Sequence, residues 1–160
     1  TKERIAEQAA LALKNAQKEI FPGEMQFELK EDMIGQTSGS TVIKEFFSVT
    51  DTEKNPVGYL VSATTPGYGG PIVFILGITK DGTLKSVKVT ENTETPGLGA
   101  NLTKASFLGQ FNNKSITDAF IVKKDVTAIT AATISSKAIT NGIKAIIDLT
   151  NTKMAGETND

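Results

Sequence analysis

Pro71-Ile-Val-Phe-Ile-Leu-Gly-Ile-Thr79 is followed by Lys80-Asp-Gly-Thr83 and then by Leu84-Lys-Ser-Val-Lys-Val-Thr90. The first run is almost wholly apolar, the composition of a strand buried on both faces. Asp81-Gly82 is the strongest short hairpin signal, because glycine accepts the positive φ of a tight turn between twisted strands. The third run places Val87 and Val89 inward and Lys85 and Lys88 outward. A half-buried strand therefore returns beside a buried one.

The same grammar continues toward the N-terminus. Thr41–Thr50 is rich in Val, Ile and Phe, Asp51-Thr-Glu-Lys-Asn-Pro56 is a polar turn, and Val57–Thr64 alternates through Val57, Tyr59 and Val61. Thr65-Pro-Gly-Tyr-Gly-Gly70 is a loop. Four successive strands on short connections predict an antiparallel meander. Upstream, Met25–Leu29 alternates as a short strand, and Gly35-Gln-Thr-Ser-Gly-Ser40 is a loop by composition. Residues 1–20 form a helix with Ile5, Ala9, Leu13, Ala16 and Ile20 on its apolar stripe, stopped by Phe21-Pro-Gly23. A core-packing helix and a helical lead-in from a membrane anchor both fit that pattern.

Downstream, Asn101–Phe111 reads as a short helix with Leu102, Phe107 and Phe111 on its buried face. Ile116–Lys123 reads as a strand through Ala119, Phe120, Ile121 and Val122. Ser135–Thr150 is a helix through Ile139, Ile143, Ile146 and Ile147, and Lys153–Asp160 is a polar, frayed tail. The expected fold is α+β: one domain over residues 1–160, a twisted antiparallel sheet with helices packed against it.

Composition excludes several chemistries. The chain of 160 residues has no Cys and no His. Disulfides, iron–sulfur clusters, thiol nucleophiles, Ser-His-Asp triads and His-based zinc sites are therefore out. A redox function would have to be carried by a bound cofactor. Lys plus Arg number 17 against 18 Asp plus Glu, so no strong field draws in nucleic acid. No apolar run approaches the roughly 20 residues that cross a bilayer. The chain starts at Thr1, from which an upstream segment, removed by processing or design, is expected.

Thr127-Ala-Ile-Thr-Ala-Ala-Thr-Ile-Ser-Ser136 carries five hydroxyl side chains just ahead of the last helix. Thr130 or Thr133 could cap that helix. The free N–H groups and positive dipole end of a helix start equally suit a phosphate. Two further stretches stand out: Glu94-Thr-Pro-Gly-Leu-Gly99 and Gly67-Tyr-Gly-Gly-Pro71. Thr65-Pro-Gly-Tyr-Gly69 and Thr95-Pro-Gly-Leu-Gly99 are near copies, read as two loops with similar backbone needs at one end of the sheet.

Together, and in this order, these stretches resemble the covalent FMN-binding domain family, which includes subunits of Rnf-type and Nqr-type ion-pumping complexes. Its attachment motif runs Asp-x-x-Ser/Thr-Gly-Ala-Thr, and the last Thr bears FMN as a phosphoester. The resemblance places that residue at Thr133, with Ala131 where the motif has Gly and Thr127 where it has Asp. It implies that Thr130, Ala131, Ala132 and Ser135 surround the phosphate, with Ser136 a less certain member. Glu94, Thr95, Leu98 and Gly99 would flank the ring, and Tyr68 would be either near it or a plain surface tyrosine. Lys137 is a counter-charge or a solvated lysine. Asn92 stands where the family often has His.

The resemblance further implies an electron-transfer subunit of an Rnf-type membrane complex handling ferredoxin and NAD electrons, with an Nqr-type subunit next. Its expected partners are other subunits of the complex and a flavin transferase that moves FMN from FAD. Its expected place is the extracytoplasmic side of the membrane, held by an N-terminal anchor. Such a subunit is not catalytic alone, and no Gly-x-Gly-x-x-Gly dinucleotide fingerprint is present. Two other readings stay open: a small hydrolase using Ser135 or Ser136 with Lys137, and an interaction module whose Pro-Gly loops contact a partner. The first lacks both Ser-x-x-Lys spacing and a Gly-x-Ser-x-Gly elbow.

Overall fold

A computed structural model of the chain describes residues 2–67, 70–92, 108–112, 114–115, 120, 125–128 and 133–158. Helix α1 (Lys2–Ile20) leads into strands β1 (Gln26–Leu29), β2 (Thr37–Ser38), β3 (Thr41–Thr50), β4 (Pro56–Pro66), β5 (Pro71–Thr79) and β6 (Leu84–Asn92), and helix α2 (Thr133–Thr158) closes the order. The strands make one six-stranded sheet in the order β1-β3-β4-β5-β6, with β2 also on β3. Every pairing is antiparallel. The meander expected from the sequence is β3 through β6.

The sheet buries both faces. On one, α2 lays Ile139, Ile143, Ile146 and Ile147 against Ile43, Phe46, Val61, Ile72, Phe74, Leu76 and Ile78. On the other, Ala16 and Ile20 of α1 and the adjoining Phe21 pack on Val49, Leu60 and Ile75. Alternation along β5 explains the division: Phe74 and Leu76 point one way and Ile75 the other. Burying β5 on both sides is what its unbroken apolar run required.

Shifts of register within the sheet adjust which side chains face which helix. In β6, Ser86 pairs with Gly77 and Leu84 with Ile78, so Lys85 is the extra residue. Leu84 and Val87 thus share the α2 face. Lys85 lies over the Phe21 ring, 4.8 Å from its centroid, and Lys88 pairs with Glu19 at 2.8 Å, both on the α1 side. A matching shift between Ile43 and Glu45 puts Ile43 and Phe46 on one face.

The turns follow their residues. Gly82 has φ 87° in the β5–β6 hairpin, where the Thr79 N–H donates to Thr83 C=O at 2.8 Å. In the β3–β4 turn one carboxylate oxygen of Asp51 accepts the Glu53 and Asn55 N–H groups, each at 2.9 Å.

Several expectations are corrected. The 35–40 stretch is not only a loop, because Thr37 and Ser38 pair with Val42 and Thr41 around Gly39 at φ 59°. Of the expected 116–123 strand only Phe120 is described, and it adopts φ 53°, outside extended backbone; the other residues of that stretch lie outside the described set. The last helix begins at Thr133 and continues to Thr158 instead of fraying after Thr150. Its tail is held: Lys153 donates to Asp32 at 3.0 Å across the domain. Of the expected 101–111 helix, the described part ends in a 3-10 turn, Gly109–Phe111, with Phe111 buried; residues 101–107 lie outside the described set.

Candidate site at the start of the last helix

Thr133 is the first residue of α2. The helix is anchored nine residues later, where Gly142 meets Thr65 and Phe74; a Cβ there would lie 3.1 Å from the Thr65 methyl and 3.2 Å from the Phe74 ring. Further along, Met154 shares a cleft with Tyr59 and Gly58. α2 therefore runs along β4 from its Thr65 end toward its Pro56 end. At 1.5 Å per residue, Thr133 lies about 13 Å beyond Gly142 in the opposite direction.

That direction leads to one end of the sheet. Thr65 pairs with Ile72, and Ile72 pairs with Asn92. The 66–71 hairpin and the chain leaving β6 thus share this end. The β2–β3 hairpin joins them, since the Thr41 hydroxyl donates to the Thr65 hydroxyl at 3.0 Å, both buried. A cleft of about 460 Å³ opens there between Ser38–Thr41, Thr65–Pro66 and the α2 flank at Ala138, Asn141 and Lys144.

Within the first turn of α2, Ser135 is 1% exposed and Ser136 0%. The Ser136 carbonyl accepts the Thr140 hydroxyl at 2.7 Å. No group among the described residues hydrogen-bonds the Ser135 hydroxyl. A buried hydroxyl left so costs stability unless a ligand or water serves it. It stands beside the first N–H groups of α2, which lack helical acceptors. Such a set fits a phosphate. Lys137 is exposed, as a solvated lysine would be.

The segment entering this helix is gripped from the side. Gln110 accepts the Thr127 N–H at 2.6 Å and donates its amide N–H to the Thr127 carbonyl at 2.9 Å. Two residues earlier, one oxygen of Asp125 accepts the Phe120 N–H at 2.9 Å and pairs with Lys114 at 3.3 Å. Phe120 stacks parallel on Phe111, centroids 6.4 Å apart and planes 4° apart. Pattern reading missed Gln110, which acts through a backbone partner 17 residues away, and it gave Phe120 a strand role instead of its contact with Asp125. Of the residues singled out from the sequence, Ser135 is described and buried and Thr133 opens the helix. Tyr68, Glu94, Thr95, Leu98, Gly99, Thr130, Ala131 and Ala132 lie outside the described residues. Among the described residues no cluster of acidic groups could hold a metal ion, and no helix is long and apolar enough to cross a membrane.

The family model of the FMN-binding domain matches residues 67–148, just over half of the chain. The chain belongs to the FMN-binding domain family. The match takes in the Gly67 hairpin, Gln110, Thr127 and the start of α2. Among curated relatives, the chain is 37% identical, over 71% of its length, to the G subunit of the proton-translocating ferredoxin:NAD(+) oxidoreductase complex of Clostridium ljungdahlii, and spans 64% of that protein. It is 35% identical to the G subunit of the ion-translocating oxidoreductase complex of Methanosarcina acetivorans, covering 84% of this chain and 73% of the relative. Among solved structures, Shewanella oneidensis NqrC matches with TM-score 0.57 at 17% identity, over 79% of this chain and 80% of that one. This likeness supports the α+β architecture.

Proposed function

We propose that this FMN-binding domain is an electron-transfer subunit of a membrane ion-translocating oxidoreductase complex of Rnf type, with FMN joined to Thr133 by a phosphoester. The buried Ser135 hydroxyl, served by no described group and beside the first residue of α2, carries the reading. Bound FMN supplies the redox chemistry that a chain without Cys or His lacks. Relatives named as the G subunits of such complexes, at 37% and 35% identity, favour the Rnf type over the Nqr type.

In this reading Ser135, Thr130 and the N–H groups near Ala131 and Ala132 hold the phosphate. Glu94, Thr95, Leu98 and Gly99 flank the ring, with Tyr68 close by. The shared sheet end of Thr65, Ile72 and Asn92 supports bringing these loops together. Attachment is a phosphoryl transfer: the Thr133 oxygen bonds to the FMN phosphorus of FAD, the pyrophosphate bond breaks, and AMP leaves with the hydroxyl proton passing to solvent or base. No His or Cys is present to activate Thr133, so a separate flavin transferase does this work. The domain sits on the extracytoplasmic side, anchored upstream of α1, and exchanges electrons with other subunits.

Intact mass after co-expression with a flavin transferase tests the reading. Wild type gains one FMN less water and stays yellow after denaturation and washing, whereas Thr133→Ala gains nothing. Colour that survives that treatment in Thr133→Ala overturns the assignment.

A further inference from the structure

We infer that Gln110 is a positioning residue for FMN attachment: its side-chain amide clasps the peptide groups of Thr127 and so fixes the upstream end of the segment bearing Thr133. The inference rests on the Thr133 reading above.

The clasp uses both polar groups of one residue. The Thr127 N–H and C=O meet the Gln110 carbonyl and amide at 2.6 Å and 2.9 Å. A neighbouring strand residue would bond them in the same way. Thr127 is itself exposed, between Val126 in the core and Ala128 packed against it, so the clasp adds a polar hold on the peptide groups between two apolar contacts.

Gln110 stands on a firm base. It belongs to the 3-10 turn Gly109–Phe111, and Phe111 is wholly buried in the core. Just beyond, the Lys114 carbonyl accepts the Leu84 N–H at 2.7 Å, and Ser115 bridges Thr83. These contacts tie the turn to β6. Lys114 also reaches Asp125 at 3.3 Å, giving the 125–127 stretch a second tie to the same base.

The downstream end is fixed independently. α2 starts at Thr133 and is seated on the sheet through Ile139, Gly142 and Ile143. Residues 128–132 therefore join two points held to one sheet. A segment with both ends held loses less freedom when an enzyme's cleft takes it. The clasp reads only main-chain groups, so it is indifferent to Thr127 standing where the family motif has Asp.

The test uses the full apo chain, FAD and purified flavin transferase, with Gln110→Ala and the near-isosteric Gln110→Glu. The introduced carboxylate could still accept the Thr127 N–H but would set an oxygen against the Thr127 carbonyl. For Gln110→Ala the expected result is a KM for the apo chain raised about tenfold with kcat unchanged, from two lost net hydrogen bonds. Thr127 amide exchange should quicken while β3–β6 amides stay protected. Gln110→Glu should fall between wild type and Gln110→Ala, and is read alone if Gln110→Ala does not fold. An unchanged KM with a quickened Thr127 amide overturns the positioning role, as does a loss that merely follows global destabilisation. Wild type that takes up no FMN overturns the Thr133 reading first, and this inference with it.

Discussion

Gly142 of α2 faces Thr65 of β4 across a gap that leaves only tight room for a side chain on the helix. A Cβ on Gly142 would lie 3.1 Å from the Thr65 methyl, and Thr65 is held by its hydrogen bond to Thr41. Phe74, on the other side of the gap, is fully buried. Both neighbours are constrained, Thr65 by that bond and Phe74 by its full burial. Gly142→Ala should cost about 1 kcal/mol, with overpacking outweighing the gain in helix propensity, and Gly142→Val about 3 kcal/mol. Urea unfolding of both variants measures this, and a stabilised Gly142→Ala would show that the helix can rise off the sheet freely.

Ser135 makes an opposite prediction for stability and for function. Removing a buried hydroxyl that no described group serves, in favour of a better helix former, should stabilise the apo chain by about 1 kcal/mol in Ser135→Ala. The same change should slow FMN attachment or loosen the phosphate. Thermal melts of apo protein and labelling rates check the two signs. A destabilised apo chain would mean that the hydroxyl is already served.

Gly77 holds the other face open. A Cβ there would collide with the Ile20 methyl and lie 3.2 Å from the Phe21 ring. Gly77→Ala should therefore cost about 2 kcal/mol and release the end of α1. Limited proteolysis should cut within 1–20 sooner, leaving α2 as resistant as before.

Acid should weaken two specific contacts. The hydrogen bond from Lys153 holds the Asp32 carboxyl below its ordinary value near 3.8, and the Asn55 backbone N–H does the same for Asp51. Each carboxylate binds its proton less readily in the folded chain. Its stabilising contribution is complete above about pH 4 and disappears as pH falls through the lowered pKa. Asp32→Asn should narrow its gap from wild type as urea midpoints are followed from about pH 6 down to about pH 2. With no His in the chain, no side chain of ordinary pKa titrates between about pH 6 and 8, and stability should be level there.

The sheet was readable because its signals are local: apolar runs, alternation and the Asp81-Gly82 turn. The bulge at Lys85 was visible only as valines and lysines that refuse strict alternation, and pairing was needed to locate the extra residue. The tail of α2 looked frayed because its holding partner, Asp32, lies 121 residues away. Phe120 has strand composition, yet its φ is positive and its N–H is bound by the Asp125 carboxylate instead of a strand partner. At the site, the hydroxyl pattern marked Thr133 and Ser135. Gln110 left no trace, since an isolated glutamine carries no periodicity and its partner is a backbone.

The two helices take opposite sides of one sheet, and α1 meets it through Ile20 and Phe21 at Gly77. Mechanically, the domain has a handle and a workbench separated by a stiff plate. Tension applied at residue 2 would reach the sheet through Ala16, Ile20 and Phe21, on the face away from α2. Shortening or regrafting the handle can therefore move the whole body in space without retuning what happens on the far side.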